Sequence, residues 1–176
     1  MKILEQINSH AHTAGVDFLV IGGHALNALG FSRQTGDLDL IVSKSDKEFW
    51  IKLVSDLGYK QVQTHEVFAR FKPAALVAWP VDLMFVEPNV FAQLLSEAGI
   101  SDFGCCKVKI PSIRHMLALK LHALKQRQKH REGKDVVDVI ELLKLGNIAE
   151  STFRQLCEKY DRLDLYERLK EYCKSG

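Results

Sequence analysis

The chain has four cysteines, Cys105, Cys106, Cys157 and Cys173, but no CxxC pair and no histidine at zinc-finger spacing, which argues against a structural zinc. Free thiols point to a reducing cytoplasm. The opening stretch "MKILEQINSHAH" alternates polar and apolar residues, so the unbroken apolar core of a signal peptide is missing. No later run is long enough to span a bilayer, and a cytoplasmic protein without a membrane partner is expected. A strong charge of one sign is missing too: the formal net charge is +2, so affinity for nucleic acid would have to be local. Internal repeats, low-complexity tracts and linkers rich in Pro, Gly or Ser are absent. What remains is an ordinary globular composition, 47% hydrophobic and 26% charged over 176 residues, enough chain to bury about 70% of its unfolded surface.

Ile3, Leu4, Ile7, Ala11 and Ala14 recur at helical spacing, and Gly15 stops that helix before the apolar strand "VDFLVI". After Gly22 and Gly23, "HALNALG" reads as helix, "DLDLIV" as strand, and "SDKEFWIKLVSDLG" as helix with Ser45 as its cap. Three strand-like runs follow, "YKQVQT", "VFARF" and "ALVAWPVDLMFV", and "KVKIPS" is a last short strand. From Pro111 onward almost everything is helix-periodic, with breaks at Gly133, Gly146 and around Asp161 giving four helices. The reading is α+β: a mixed sheet flanked by helices over residues 1–110, then a small helical bundle over 111–176, the two parts sharing a core or a close interface.

Asp37 and Asp39 stand in the middle of an apolar strand. Side chains alternate along a strand, so these two carboxylates point the same way, about 7 Å apart, while Leu38, Leu40 and Val42 point into the core. Facing carboxylates repel unless something positive lies between them, and a hard dication such as Mg²⁺ satisfies that need through oxygen ligands. A solvated strand face would show the same alternation. Asp82 is a third case, set among Val81, Leu83, Met84 and Phe85. A buried carboxylate needs a partner, which is an arginine, a backbone cap or the same metal.

Gly22 and Gly23 fall where strand turns into helix, a place where bare N–H groups can hold phosphate, though tight turns also use glycine for conformation alone. Asp37 and Asp39 follow 14 and 16 residues beyond Gly23, and the later Asp82 completes a phosphate cradle facing a dication site. This combination resembles the polymerase-β-like nucleotidyltransferase superfamily, with its Gly-Gly or Gly-Ser turn, its Asp-x-Asp and its third Asp. Within it, "GGHALNALGFSRQTGDLDL" is similar to the first motif of AbiEii-type toxin nucleotidyltransferases. The resemblance gives Arg33 and Thr35 a nucleotide-binding place, with His24 standing where many relatives carry a small hydroxyl residue. It also gives a later motif, "KLHALKQRQKHREGKDVVDV", with Lys120, Arg127, Lys134, Asp135 and Asp138. Its implications are a nucleotidyltransferase fold, two Mg²⁺ ions on Asp37, Asp39 and Asp82 (or Asp82 as general base), and NTP as substrate. Gly22, Gly23, Lys120, Lys134 and Asp135 would contact the nucleotide. The acceptor would be a tRNA end, a protein hydroxyl or a small drug-like molecule, with a cognate toxin or antitoxin protein as partner.

Taken on its own, Lys120 sits at the centre of an apolar stripe formed by Ile113, Met116, Leu117, Ala123 and Leu124, and Arg127 and Arg131 continue that face. Stems snorkelling over apolar surface, ion pairs with Glu132 or Asp135, and contact with a triphosphate all fit. Lys134, Asp138 and Glu141 share one face of the next segment, which reads as solvated. Two rival functions stay open. A non-catalytic nucleotide-binding or protein-interaction module would keep the fold without turnover. A plain RNA binder would use "KQRQKHR", but that run has no aromatics for stacking and leaves Asp37, Asp39 and Asp82 unexplained.

Overall fold

A computed structural model describes residues 2–74, 78–125 and 132–174. The chain divides into two compact units, Met1–Pro111 and Ser112–Gly176. In the first, a five-stranded sheet has the order β1 (Leu19–Ile21), β2 (Leu38–Ser43), β5 (Val81–Val86), β4 (Phe68–Pro73), β3 (Tyr59–Thr64). The β2–β5 pair is parallel and the other pairs are antiparallel, which is the expected mixed sheet. Alternation decides its faces. Leu38, Leu40, Val42, Val81, Leu83, Phe85, Ala69 and Phe71 form one buried face. Helix α3 (Lys47–Asp56) covers it with Trp50, Leu53 and Val54, and Lys47 lies over the Phe85 ring, 4.9 Å from its centre. The other face presents Asp39, Asp82, Arg70 and Met84.

The first helix, α1 (Lys2–Ala14), ends at Gly15 as the sequence indicates. Gly15 has φ +67°, and the N–H groups of Gly15 and Val16 donate to His12 and Ala11 at 3.2 and 3.0 Å, closing the last turn. Several boundaries differ from expectation. The second helix, α2 (Gly22–Ala28), starts on the glycines themselves. Ser45 does not cap α3: a 3₁₀ turn over Lys44–Asp46 intervenes, and the Ser45 hydroxyl is engaged by Ser43 and Asp46 at 2.8 and 3.2 Å. The run "ALVAWPVDLMFV" enters the ladder only at Val81, because Pro80 has no N–H to give; its carbonyl instead accepts from Leu38 N–H at 2.9 Å. Residues 75–77 of that run lie outside the described residues. Two elements had no counterpart in the sequence reading, helix α4 (Pro88–Ser96), started by Pro88, and strand β6 (Gly99–Asp102), which pairs with β7 (Lys107–Ile110) in a two-stranded sheet.

Among the described residues the second unit is built of helices: α5 (Ile113–Lys125), α6 (Glu132–Gly146), α7 (Glu150–Lys159) and α8 (Leu163–Leu169). Ser112 opens α5, its Oγ accepting from His115 N–H at 3.3 Å. Gly133 does not break a helix but lies in the first turn of α6. Gly146 ends α6, and a Cβ there would sit 2.6 Å from Ile113 Cγ2, so the end of α6 meets the start of α5. Asp161, with φ +56°, separates α7 from α8. Phe153, Leu156, Leu165 and Leu169 form the core under these two helices.

Candidate active site

The register of three strands builds the site. Asp39 of β2 stands opposite Ile21 at the end of β1 and opposite Asp82 of β5. Both carboxylates therefore project from one face, and Asp37 joins them from the residue just before β2. Ligand oxygens of Asp37, Asp39 and Asp82 all lie within 4.8 Å of one another. Among the described residues this is the one group of three or more His, Cys, Asp or Glu side chains close enough to share an ion. The four cysteines take no part in it and are free thiols.

The glycine turn is fitted to the carboxylates. Gly22 has φ +67°, a conformation that side chains other than glycine rarely take, and a Cβ there would lie 2.2 Å from Asp39 Oδ2. A Cβ on Gly23 would lie 2.6 Å from Thr35 Cβ and 2.8 Å from Thr35 Oγ1. Thr35 in turn donates to the Asp37 carbonyl and to Asp37 Oδ1, each at 3.3 Å. The loop that carries Thr35 is closed by Asn27, whose amide donates to Arg33 O at 2.9 Å and accepts from Arg33 N–H at 2.7 Å. Gly22, Gly23, Thr35, Asp37, Asp39 and Asp82 are thus one place, and Arg33 is held at its border. Beside the turn is a cavity of about 480 Å³ lined by His24, Asn27, Arg33, Thr35, Trp79 and Phe103.

His24 is not an exposed donor. It is buried against Trp79, ring centres 4.4 Å apart, and its Nε2 has no hydrogen-bond partner. Burial pushes its pKa down, with the charge of Asp37 pulling the other way.

Sequence reasoning missed Arg70. On β4 it lies directly opposite Asp82, donating Nε to Asp82 Oδ1 at 2.8 Å and Nη2 to Asp82 Oδ2. The arginine expected as one possible partner of Asp82 is therefore present, and so is the carboxylate cluster. The Asp82 side chain is 7% exposed and that of Arg70 32%. Its bond to Asp82, with the nearby charges of Asp37 and Asp39, holds the guanidinium further in its charged form. The available signal was the alternation in "FARF", which puts a charge between buried Ala69 and Phe71 and so on the opposite face.

The remaining candidates belong to the second unit. Lys120 Nζ lies 2.8 Å from Asp135 Oδ1 and 2.6 Å from Asp138 Oδ2, joining α5 to α6. Asp138 is buried, which corrects its reading as part of a solvated face. Lys134 is exposed. Arg127 and Arg131 lie outside the described residues.

Known proteins bear on this arrangement. The chain resembles in fold an antigenic nucleotidyltransferase-like protein from Paracoccidioides brasiliensis, with 19% identity over 99% of this chain and 93% of that one and a TM-score of 0.62. It resembles ANT(2″)-Ia, solved in complex with adenylyl-2″-tobramycin, with 12% identity over 97% and 96% and a TM-score of 0.59. A third likeness is to the lincosamide antibiotic adenylyltransferase LnuA, lincomycin-bound, with 17% identity over 82% and 96% and a TM-score of 0.58. No curated protein matches the sequence. These likenesses show a shared nucleotidyltransferase fold. The family profile described as nucleotidyl transferase AbiEii toxin, type IV toxin–antitoxin system, matches residues 69–170, a span that includes Arg70, Asp82, Lys120 and Asp135. The chain belongs to the AbiEii family and is a nucleotidyltransferase.

Proposed function

We propose that this nucleotidyltransferase moves a nucleoside monophosphate from an NTP to a hydroxyl acceptor and that Asp37, Asp39 and Asp82 hold the Mg²⁺ ions it needs. The observation that carries the reading is the gathering of three carboxylates within 4.8 Å under a glycine turn that leaves room for them. Three hard oxygen donors with no sulfur or imidazole among them suit Mg²⁺. Bound there, the metal would offset phosphate charge and favour in-line displacement at the α-phosphorus.

The chain's own residues do the positioning. Asp37, Asp39 and Asp82 would hold the ions through their carboxylate oxygens. Thr35 fixes Asp37, so a change at the loop is felt at the carboxylates. Gly22 and Gly23 leave bare backbone for the β- and γ-phosphates, and Arg33 supplies a cation at the border. Because α2 has only seven residues, individual N–H groups rather than a helix dipole supply the donors. The family motif adds Lys120, Lys134 and Asp135 as nucleotide contacts. In the transfer, the acceptor hydroxyl would give its proton to a carboxylate of the cluster or to water, its oxygen would bond to the α-phosphorus, the bond to the pyrophosphate oxygen would break, and pyrophosphate would leave.

The acceptor is a tRNA end, a protein hydroxyl or a small molecule, and a cognate antitoxin is the partner that the type IV family implies. No helix among the described residues is long and apolar enough to cross a membrane, and the free thiols fit work in the cytoplasm. The test is incubation with α-labelled NTPs, Mg²⁺ and total cellular RNA or lysate. Label should enter one acceptor class in the native protein and disappear with Asp37→Ala, Asp39→Ala; undiminished labelling in that double variant sinks the reading.

A further inference from the structure

Asp82 has a cation already. Arg70 faces it across the β4–β5 ladder and engages both of its oxygens, Nε on Oδ1 at 2.8 Å and Nη2 on Oδ2. A two-toothed guanidinium–carboxylate pair is the strongest form of this contact and fixes the plane of the carboxylate as well as its charge. Asp82 is buried, so its pair with Arg70 is weakly screened. An oxygen of that same carboxylate lies within 4.8 Å of oxygens of Asp37 and Asp39. A divalent ion drawing on Asp82 would thus approach a group whose lone pairs and charge are in use, and would bring two positive charges next to a fixed third.

We propose that Arg70 is a built-in competitor of the divalent cation at Asp82, a positioning residue that holds the third carboxylate in the nucleotide-free protein and thereby sets the metal affinity of the site. This rests on the Mg²⁺-dependent reading given above. The alternation of β4 supports it. Arg70 projects from the same face as Asp82 because Ala69 and Phe71 on either side point into the core, so the guanidinium cannot be swung to the far side of the sheet without unpacking them. Its side chain is 32% exposed, so the guanidinium reaches solvent on one side while it holds Asp82 on the other. Stability alone does not require such an arrangement, since a buried pair can be replaced by apolar residues without loss.

The experiment measures Mn²⁺ binding to the full chain without nucleotide, following free Mn²⁺ by electron paramagnetic resonance, in the native protein and in Arg70→Met, Arg70→Lys, Asp82→Asn and the Arg70→Met, Asp82→Asn double variant. Arg70→Met should bind Mn²⁺ roughly tenfold or more tightly than the native protein, because removing one positive charge a few ångströms away relieves a repulsion of that order. Arg70→Lys keeps the charge and loses the fork, so it should gain less. Asp82→Asn should bind more weakly, and in its background the further change to Met should alter affinity less than about threefold, the coupling expected when the competition runs through Asp82. If Arg70→Met fails to fold because Asp82 is left unpaired, Arg70→Lys and the double variant decide. Unchanged or weaker binding in both Arg70→Met and Arg70→Lys overturns the proposal while leaving the metal site standing. Binding that is the same in the native protein and in Asp37→Ala, Asp39→Ala overturns the metal reading, and this proposal with it.

Discussion

Each unit of the molecule contains a cluster of aspartates around one long cationic side chain, and the two clusters answer to different physics. In the second unit, Lys120 reaches Asp135 and Asp138 from a neighbouring helix, and the three side chains are 18%, 15% and 1% exposed. One ammonium with two carboxylates ties α5 to α6 where their apolar faces meet, so packing accounts for it. In the first unit, Arg70 has a single bidentate partner in Asp82, while Asp37 and Asp39 are pressed up to that pair from the next strand. Three carboxylates within 4.8 Å need positive charge beside them, and Arg70 supplies some of it. On the proposed reading the first cluster is organised for a ligand, whereas the second holds two helices together.

The sharpest way to break that contrast is to remove the carboxylates of each cluster and measure both activity and stability. Asp37→Ala, Asp39→Ala should lower transfer by about a thousandfold or more, as expected for loss of a metal that contributes several kcal/mol to the transition state. Its unfolding midpoint in urea should move less than that of Lys120→Met, because Asp37 and Asp39 are only partly buried whereas Asp138 is buried. A fall in stability comparable to the fall in activity would mean that the first cluster is structural too.

Lys120→Met is the converse. It leaves Asp138 buried without its ammonium, a change that costs about 3–5 kcal/mol. Urea unfolding followed by circular dichroism should show that loss, and adding Asp138→Asn should return much of it. If Lys120→Met folds as stably as the native chain, the second cluster is not a staple and the contrast between the clusters fails.

How far these clusters could be read in the sequence follows from how local their causes are. The Asp-x-Asp of Asp37 and Asp39, the alternating aliphatics around it and the glycine pair are short-range patterns, and each was legible. Asp82 was legible as an anomaly, a carboxylate in an apolar run. What was not legible is register. That β2 and β5 are parallel neighbours, so that Asp39 stands opposite Asp82, depends on a connection running through α3, β3 and β4. Arg70 was missed for the same reason: its alternation is visible in "FARF", but its place opposite Asp82 is set by a hairpin whose turn sequence does not specify it. Lys120 was recognisable as a lysine in an apolar stripe. Asp138 was taken as solvated because charge runs on helices usually are, whereas here the antiparallel partner helix covers it. Helix α4 was overlooked because it follows β5 after a single residue, Glu87, with only Pro88 to mark its start.

A matched pair of glycines separates conformation from site geometry. Gly15 and Gly22 share φ +67°, but a Cβ on Gly15 meets nothing within 4 Å while one on Gly22 would strike Asp39 Oδ2 at 2.2 Å. Gly15→Ala should therefore cost only the left-handed penalty of about 1–2 kcal/mol. Gly22→Ala should cost more than Gly15→Ala, and it alone should weaken Mn²⁺ binding, since the displaced carboxylate is part of the cluster. Equal losses in the two variants, with metal binding intact, would mean that the closeness of Gly22 to Asp39 has no functional weight.

The smallest effect concerns His24, which borders the first cluster without belonging to it. Burial lowers its pKa below the ordinary value of 6.5, so the unfolded chain takes up a proton at this position at higher pH than the folded one does. The sign follows: His24 favours the folded state fully above pH 6.5, and that contribution is lost as pH falls from there toward the lowered folded value. Unfolding free energies measured at about pH 7.5 and pH 5.5 should fall more steeply for the native protein than for His24→Gln, which cannot take up the proton. The Asp37 charge works against burial at this imidazole, so Asp37→Ala should steepen the fall, through a longer-range influence of the first cluster on its surroundings. A native slope no steeper than that of His24→Gln would place the imidazole in water rather than against Trp79, and would detach it from the carboxylates.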